Sequence, residues 1–245
     1  MPQKNIAHRG FSGEYPENTL LAFEKAVEEG RCDGFETDVH LSADGELVII
    51  HDDELDRTTN GSGPVSVKTR AELLELDAGI KKGERFAGQR IPLLAQVLDV
   101  AKKHSVILNI ELKNMPNPYP GLEAKVIQLV RDMGMVEQVQ LSSFNHLSIA
   151  LCKRLAPDIY AGLLYSQPLY RAEEYAKSCG ADALNLHYLL LYYEPELAAR
   201  CKALGIELNL WTVNESADMA RLQTMVDSGS IITNYPNRMR EAMAG

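Results

Sequence analysis

The chain has 245 residues, enough for one large domain or two small ones with a buried core. Hydrophobic residues make up 45% of it and charged residues 24%, a balance that excludes disorder, collagen and coiled coil. The formal net charge of −9 argues against non-specific binding to a nucleic-acid backbone. No stretch approaches the roughly 20 apolar residues that a membrane-spanning helix needs.

The N-terminal residues lead directly into a strand pattern, without the apolar region of a signal peptide. This predicts a cytoplasmic protein. In a chain of this size, the four widely separated cysteines are expected to be buried thiols rather than two disulfides; they are Cys32, Cys152, Cys179 and Cys201.

Short apolar runs alternate with helical patterns along nearly the whole chain. Nine runs are predicted as strands, several of them buried on both faces: Asn5–His8, Phe35–Leu41, Leu47–His51, Val106–Leu112, Val139–Phe144, Tyr160–Tyr165, Ala183–His187, Glu207–Val213 and Ile231–Thr233. Apolar residues at helical spacing predict helices between them: one capped by Asn18 or Thr19 and ended by Gly30, then Leu93–His104, Leu122–Met133, His146–Leu155, Arg171–Cys179, Pro195–Leu204 and Ala217–Val226.

About eight strand–helix units predict an α/β fold, a closed (β/α)8 TIM barrel forming a single domain over residues 1–245. A doubly wound open sheet is less favoured because no Gly-x-Gly-x-x-Gly sequence follows the first strand. Residues 52–90 interrupt the alternation with a turn-rich sequence and one short helix, which opens with a capping box from Thr69 to Glu72. We expect this segment to be an insertion after the second strand that lies over the barrel mouth.

Three acidic residues on two predicted strands indicate a metal site. Glu36 and Asp38 are two residues apart, so their carboxylates share one face of a strand, and Glu111 ends another apolar strand. Carboxylates that are close together in an apolar surrounding stay ionised together only if a cation lies between them; otherwise one of them takes a proton. An all-oxygen set of ligands without cysteine favours Mg²⁺ or Ca²⁺.

Two histidines are predicted at the same barrel mouth. His8 closes the first strand, which neighbours the second strand in a barrel. Asp44 and Gly45 predict a two-residue hairpin turn, which would place His51 opposite Asp38. Since imidazole titrates near neutral pH, one histidine can accept a proton while the other donates one.

Two cations and one aromatic residue lie beside these groups. Arg9 adjoins His8, and Lys113 shares a strand face with Glu111. Both side chains can neutralise the acids or hold the oxygens of a phosphate group. Trp211, near another strand end, is either a core residue or part of the pocket wall.

Eight short motifs resemble, in the same order and across nearly the whole chain, those of the glycerophosphodiester phosphodiesterases: His8-Arg9-Gly10, Pro16-Glu17-Asn18-Thr19, Glu36-Thr37-Asp38, His51-Asp52, Asp56-Arg57-Thr58-Thr59-Asn60-Gly61, Glu111-Leu112-Lys113, Ser142-Ser143-Phe144 and Trp211-Thr212-Val213. This family has a (β/α)8 barrel with an inserted segment after its second strand. The resemblance implies hydrolysis of a glycerophosphodiester to sn-glycerol 3-phosphate and an alcohol, as part of lipid metabolism.

By the same resemblance, one divalent cation would be held by Glu36, Asp38 and Glu111, and the catalytic acid–base pair would be His8 and His51. Arg9 and Lys113 match the phosphate-binding cations, and Phe144 and Trp211 match positions near the substrate. The chain departs from many members at Asn234, where an aspartate is common, so one negative charge is missing near the mouth.

Three alternative functions stay open. A metal-dependent barrel lyase or aldolase would have no use for the pair His8 and His51. A catalytically silent barrel that only binds its ligand would be expected to lack one of these groups, and none is missing. A lysophospholipase D-type enzyme would need an exposed apolar surface in the insertion, but residues 52–90 are mostly polar, which favours water-soluble, deacylated substrates. The sequence does not define the oligomeric state, so a homo-oligomer also stays open.

Overall fold

The computed structural model describes residues 3–244. The strands in these residues are β1 (Lys4–Ala7), β2 (Gly34–Leu41), β3 (Leu47–Ile49), β4 (Ile107–Leu112), β5 (Val139–Ser143), β6 (Tyr160–Tyr165), β7 (Ala183–His187), β8 (Glu207–Trp211) and β9 (Gly229–Thr233). The helices are α1 (Leu20–Glu28), α2 (Arg70–Leu74), α3 (Leu94–His104), α4 (Leu122–Asp132), α5 (His146–Leu155), α6 (Ala172–Ser178), α7 (Leu189–Tyr193), α8 (Leu197–Leu204), α9 (Ser216–Met225) and α10 (Pro236–Ala244).

Eight of the strands form a closed parallel barrel. They lie in the order β1, β2, β4, β5, β6, β7, β8 and β9, and β9 pairs back onto β1. Apolar side chains fill the space between the barrel and its helices, as where Phe23 of α1 stacks on Phe35 of β2 with ring centroids 4.8 Å apart. The predicted (β/α)8 barrel is therefore confirmed.

The ninth strand, β3, forms the predicted hairpin with β2, but the predicted register is wrong by one residue. Val39 pairs with Ile49, and the Ile50 amide donates to the Asp38 carbonyl, so Ile50 and not His51 lies opposite Asp38. The cause is the turn, which has three residues rather than two and ends in Gly45 with φ +82°. His51 therefore follows the end of the strand.

Most predicted elements agree with the structure to within one or two residues at their ends. Thr19, and not Asn18, caps α1, because its hydroxyl accepts from the Ala22 amide at 3.2 Å. Helices α7 and α10 were not predicted, since α7 has only five residues and α10 buries only Pro236 and Met239.

Residues 52–90 contain α2 and two short 3₁₀ turns, and their Leu55, Val65 and Leu73 form a small apolar cluster with Val48 and Ile50. The predicted capping box at the start of α2 is present. The segment is tied to the loop between β1 and α1, where Lys82 Nζ donates to the carbonyl oxygens of Ser12 and Gly13 at 2.8 and 3.0 Å.

The four cysteines are free thiols, as predicted, and three of them are buried. Among residues 3–244, none of the helices combines the length and the apolar character that crossing a membrane would require.

Candidate active site

Three acidic side chains converge where β2 and β4 end. Asp38 is the register partner of Glu111, and Glu36 lies two residues earlier on the same face of β2. One carboxylate oxygen from each residue lies within 4.8 Å of those of the other two. Glu36 Oε1 and Asp38 Oδ1 are buried and have no hydrogen-bond partner. These unpartnered oxygens fit a cluster that could hold a metal ion.

The three carboxyl groups differ in their affinity for a proton. Burial, together with the charges of Asp38 and Glu111, raises the pKa of Glu36 well above its ordinary value. Burial and the charge of Asp38 also raise the pKa of Glu111, although Lys113 opposes the shift. For Asp38, Arg9 and Lys113 outweigh burial and lower the pKa. The cluster therefore attracts either a proton or a cation.

Two basic side chains border the acids. Arg9 donates its amide to Glu36 Oε2 at 2.9 Å, and its Nε lies 3.4 Å from Asp38 Oδ2. Lys113 Nζ lies 2.9 Å from Glu111 Oε1 and 3.8 Å from Asp38 Oδ1. Arg9 takes a left-handed conformation, with φ +56°, and this turns its backbone amide toward Glu36. Both side chains are partly exposed, so an anionic group can reach them.

His8 follows β1 and faces the acids. Its Nδ1 lies 2.7 Å from Asn234 Oδ1, an acceptor, so Nδ1 carries the proton of the neutral ring. Nε2 is then left as an acceptor, 3.9 Å from Glu36 Oε2. Burial and the positive charge of Arg9 lower the pKa of His8 to about 4. His8 is therefore a neutral imidazole at physiological pH.

His51 has a carboxylate partner instead. Its Nδ1 lies 2.6 Å from Asp52 Oδ1, and Arg57 Nε donates to the other oxygen of Asp52 at 2.6 Å. Burial alone would raise the pKa of Asp52, but the hydrogen bonds from Arg57 and His51 lower it to about 2. Asp52 therefore stays ionised and fixes the orientation of the His51 ring through Nδ1.

The opposite wall of the same pocket is apolar. The pocket has a volume of about 170 Å³ and is lined on this side by Phe144, Leu164, Trp211 and Ile232. The rings of Phe144 and Trp211 meet edge to face, with centroids 5.7 Å apart. Trp211 Nε1 donates to the Asn185 carbonyl at 2.9 Å, which satisfies its one polar group. Every candidate site residue named from the sequence lies at this pocket or contacts its acids.

One neighbour of the acids was expected in another role. Asn18 was a candidate helix cap, but its Nδ2 donates to Asp38 Oδ2 at 2.8 Å and its Oδ1 accepts from Thr37. It takes a left-handed conformation, with φ +56°, which asparagine tolerates better than most residues. Its place in the Pro16-Glu17-Asn18-Thr19 motif was the only sequence signal for this position.

Two further titratable side chains, Glu17 and His40, complete the surroundings of the site. Glu17 accepts from Arg9 Nη1 at 3.0 Å and from both terminal nitrogens of Arg57 at 2.8 Å. Buried His40 also approaches the site, with its Nε2 3.3 Å from the His51 carbonyl and its Nδ1 3.1 Å from the Tyr119 hydroxyl. Sequence reasoning assigned no role to these side chains, because their partners are distant along the chain.

Comparisons with known proteins agree with this geometry. Residues 8–238 match the model of the glycerophosphoryl diester phosphodiesterase family. The chain is 44% identical to a glycerophosphodiester phosphodiesterase of Caldanaerobacter subterraneus subsp. tengcongensis, covering 96% of this chain and 95% of that protein. It is 37% identical to one of Bacillus altitudinis, covering 98% and 99%.

Among solved structures, an Oleispira antarctica phosphodiesterase in complex with the product sn-glycerol-3-phosphate superposes with a TM-score of 0.88 at 32% identity, covering 100% of this chain and 98% of that one. The family model and the curated relatives each extend over nearly the whole chain. The chain therefore belongs to the glycerophosphoryl diester phosphodiesterase family, and it is an enzyme of that family.

Proposed function

We propose that this enzyme hydrolyses glycerophosphodiesters to sn-glycerol 3-phosphate and an alcohol, as a step of lipid metabolism. The observation that carries the proposal is one pocket in which two histidines, Arg9 and two acids face an apolar wall, with the third acid and Lys113 in contact with them. The similar Oleispira antarctica phosphodiesterase, whose complex holds sn-glycerol-3-phosphate, supports the same substrate class. Residues 1–245 would act as one catalytic domain, with residues 52–90 over one side of the mouth.

Glu36, Asp38 and Glu111 would hold one divalent cation, Mg²⁺ or Ca²⁺, through carboxylate oxygens. The unpartnered oxygens of Glu36 and Asp38 support this assignment, as does the absence of sulfur or nitrogen from the group. When bound, the cation would supply Lewis-acid stabilisation of the phosphate charge. Arg9 and Lys113 would bind the remaining phosphate oxygens, because their side chains flank the acids and both are partly exposed.

The two histidines would divide the proton transfers. His8 is neutral and has a free Nε2, so it would accept the proton of the attacking hydroxyl group. His51 would donate a proton to the departing alcohol oxygen, with the ionised Asp52 carboxylate holding its Nδ1. Phe144 and Trp211 would orient the substrate by contact with its carbon atoms. This division of roles follows from the different partners of the two Nδ1 atoms.

The direct test is to incubate the purified enzyme with glycerophosphocholine and to measure glycerol 3-phosphate, in EDTA and after adding back Mg²⁺ or Ca²⁺. We expect product only with a divalent cation, and no restoration in Glu111→Gln. Undiminished turnover in excess EDTA would exclude the cation. Absence of product under every condition would exclude the substrate class.

A further inference from the structure

His51 lies just beyond the part of the hairpin that strand pairing fixes. Strand β3 ends at Ile49, and the last backbone contact with β2 is the hydrogen bond from the Ile50 amide to the Asp38 carbonyl. Among residues 3–244, no backbone amide donates to the His51 carbonyl oxygen. The position of the His51 backbone at this point therefore depends on side chains.

His40 supplies such a side-chain contact. It lies two residues after Asp38 on β2, and because side chains alternate along a strand, it shares the face of Glu36 and Asp38. Its Nε2 lies 3.3 Å from the His51 carbonyl oxygen. A carbonyl oxygen only accepts hydrogen bonds, so Nε2 carries a proton and donates it. His40 is fully buried, so bulk water does not compete for this contact.

Tyr119 holds the other nitrogen of the same ring. His40 Nδ1 lies 3.1 Å from the Tyr119 hydroxyl, and the two rings meet edge to face with centroids 5.8 Å apart. The carboxylate of Asp53, at 4.0 Å from Nδ1, lies beyond hydrogen-bond distance. With Nε2 protonated, Nδ1 of the neutral ring is an acceptor to which the hydroxyl donates. Tyr119 therefore selects the tautomer that directs a proton at the His51 carbonyl.

The loop that carries Tyr119 is attached to the His51 segment at a second point. This loop, residues 113–121, joins β4 to α4 and begins with the phosphate-binding candidate Lys113. Within it, Asn117 Nδ2 donates to Asp53 Oδ1 at 2.9 Å. The loop therefore fixes both the His40 ring and the chain two residues after His51.

We propose that His40 is a positioning residue for His51, and that Tyr119 fixes the tautomer in which His40 acts. The proposal rests on the proposed function, in which His51 gives a proton to the departing alcohol oxygen. Proton transfer needs the donor within hydrogen-bond reach, so a small displacement of His51 is costly. His40 is not among the residues that line the pocket, so its effect should be confined to the step that needs a well-placed His51.

The test uses two substrates that differ in their need for this proton. Glycerophosphocholine releases an alkoxide that must be protonated, whereas the p-nitrophenyl ester of glycerol 3-phosphate releases a stable phenolate. We expect His40→Leu to lower kcat on glycerophosphocholine about tenfold. Its KM, and kcat on the p-nitrophenyl ester, should change by less than about twofold. An equal loss of kcat on both substrates would mean that His40 only supports the fold, and would overturn the proposal.

Two milder substitutions keep the proposal falsifiable if His40→Leu folds poorly. His40→Gln should keep kcat on glycerophosphocholine within about threefold of wild type, because the glutamine amide can donate to the His51 carbonyl in place of Nε2. Tyr119→Phe should lower kcat on glycerophosphocholine about threefold and leave the p-nitrophenyl ester unaffected. The proposal is wrong if His40→Gln loses more than about tenfold or if Tyr119→Phe is unaltered.

His146 offers a matched control, because it makes the same two types of contact elsewhere. Its Nε2 lies 2.8 Å from the Leu164 carbonyl oxygen, and its Nδ1 lies 3.2 Å from the Tyr175 hydroxyl. The quantity to compare is the ratio of kcat on glycerophosphocholine to kcat on the p-nitrophenyl ester. His146→Leu should leave this ratio unchanged, and a fall as large as that in His40→Leu would overturn the proposal.

His51→Ala separates this proposal from the function on which it rests. It should lower the same ratio at least as much as His40→Leu does, because it removes the proton donor itself. If His51→Ala loses kcat equally on both substrates, His51 is not the acid, and the proposed histidine roles fail together with the role of His40. If wild type cleaves neither substrate, the proposed function is wrong and this proposal with it.

Discussion

Arg57 and Glu17 form a two-point ion pair beside the catalytic pocket, with Nη1–Oε2 and Nη2–Oε1 distances of 2.8 Å. The pair joins the segment 52–90 to the loop between β1 and α1. Glu17 also binds Arg9, which contacts Asp38, while Arg57 also binds Asp52, the partner of His51. A row of alternating charges therefore connects the acids to one of the two histidines.

We predict that Arg57→Met lowers kcat on glycerophosphocholine about tenfold. Asp52 would lose its hydrogen bonds from Arg57, and Glu17, which binds Arg9, would lose its ion pair with Arg57. Arg57→Lys should be intermediate, since lysine keeps the charge but cannot make the two-point contact. The free energy of unfolding should fall by less than about 1 kcal/mol, because the Arg57 side chain is nearly half exposed. Steady-state kinetics and urea denaturation measure the two effects.

Arg131 provides the control for this substitution. It makes a comparable two-point contact with Asp158, at 3.0 and 2.7 Å, but between α4 and the turn that follows α5. Arg131→Met should change stability as little as Arg57→Met does and leave kcat unaltered. A similar loss of kcat in both variants would mean that the effect of Arg57 is only structural.

The histidine roles predict large kinetic effects. His8→Ala and His51→Ala should each lower kcat at least about 100-fold, the usual scale of general acid–base catalysis. The matched control is His104→Ala, because His104 pairs with Glu24 on the outer surface and is remote from the pocket. Full turnover in either active-site variant would remove that histidine from the mechanism.

Neutralising one acid should have opposite effects on stability with and without a metal ion. In EDTA, Glu36→Gln should not lower the melting temperature and should raise it slightly, because repulsion from Asp38 and Glu111 is relieved. When Mg²⁺ or Ca²⁺ is added, the melting temperature of wild type should rise above its value in EDTA, and that of the variant should not. Thermal unfolding monitored by circular dichroism measures both. Equal stabilisation of the two proteins by the ion would place the metal elsewhere.

Asn234→Asp should change the proton affinity of His8. A carboxylate 2.7 Å from Nδ1 would favour the imidazolium, so the pKa of His8 should rise from about 4 to between about 5 and 7. The acidic limb of the kcat/KM profile should move to higher pH with it, because a protonated His8 cannot accept a proton. Titration of the histidine nitrogens by NMR in EDTA is the measurement, and an unmoved pKa would contradict the assigned hydrogen bond.

His8 should also make the folded state sensitive to acid. Its pKa falls from an ordinary 6.5 to about 4 on folding, so between these values the unfolded chain binds a proton that the folded chain does not. The contribution of His8 to stability is complete above pH 6.5 and is lost as the pH falls toward 4, by at most about 3 kcal/mol. In urea denaturation with EDTA, the stability difference between wild type and His8→Gln should shrink across this range. If the free energies of unfolding of the two proteins changed in parallel with pH, the low pKa of His8 would be contradicted.

The barrel and the acid cluster were predictable from the sequence because both follow from regular geometry. Strands that alternate with helices must run parallel, and the carboxyl ends of neighbouring parallel strands meet at one mouth. Glu36 and Asp38 near the end of one such strand, and Glu111 near the end of the next, could therefore be placed together without coordinates. The same reasoning placed His8 beside them.

Features that depend on a particular turn or on remote partners were not predictable. The hairpin register was wrong because nothing in Asp44-Gly45 distinguishes a two-residue turn from the three-residue turn that forms. The partners Arg57 and Glu17 are 40 residues apart, and no periodicity connects them. Leu147 and Tyr170 look like core residues in the sequence, and only the fold shows that they face outward.

Trp211 is the single tryptophan of the chain, and it stands in the wall of the catalytic pocket against Phe144. Its indole emission is therefore an intrinsic optical signal from the pocket itself, with no background from other tryptophans. Ligand entry, metal loading and product departure can each be followed in real time on the unlabelled protein.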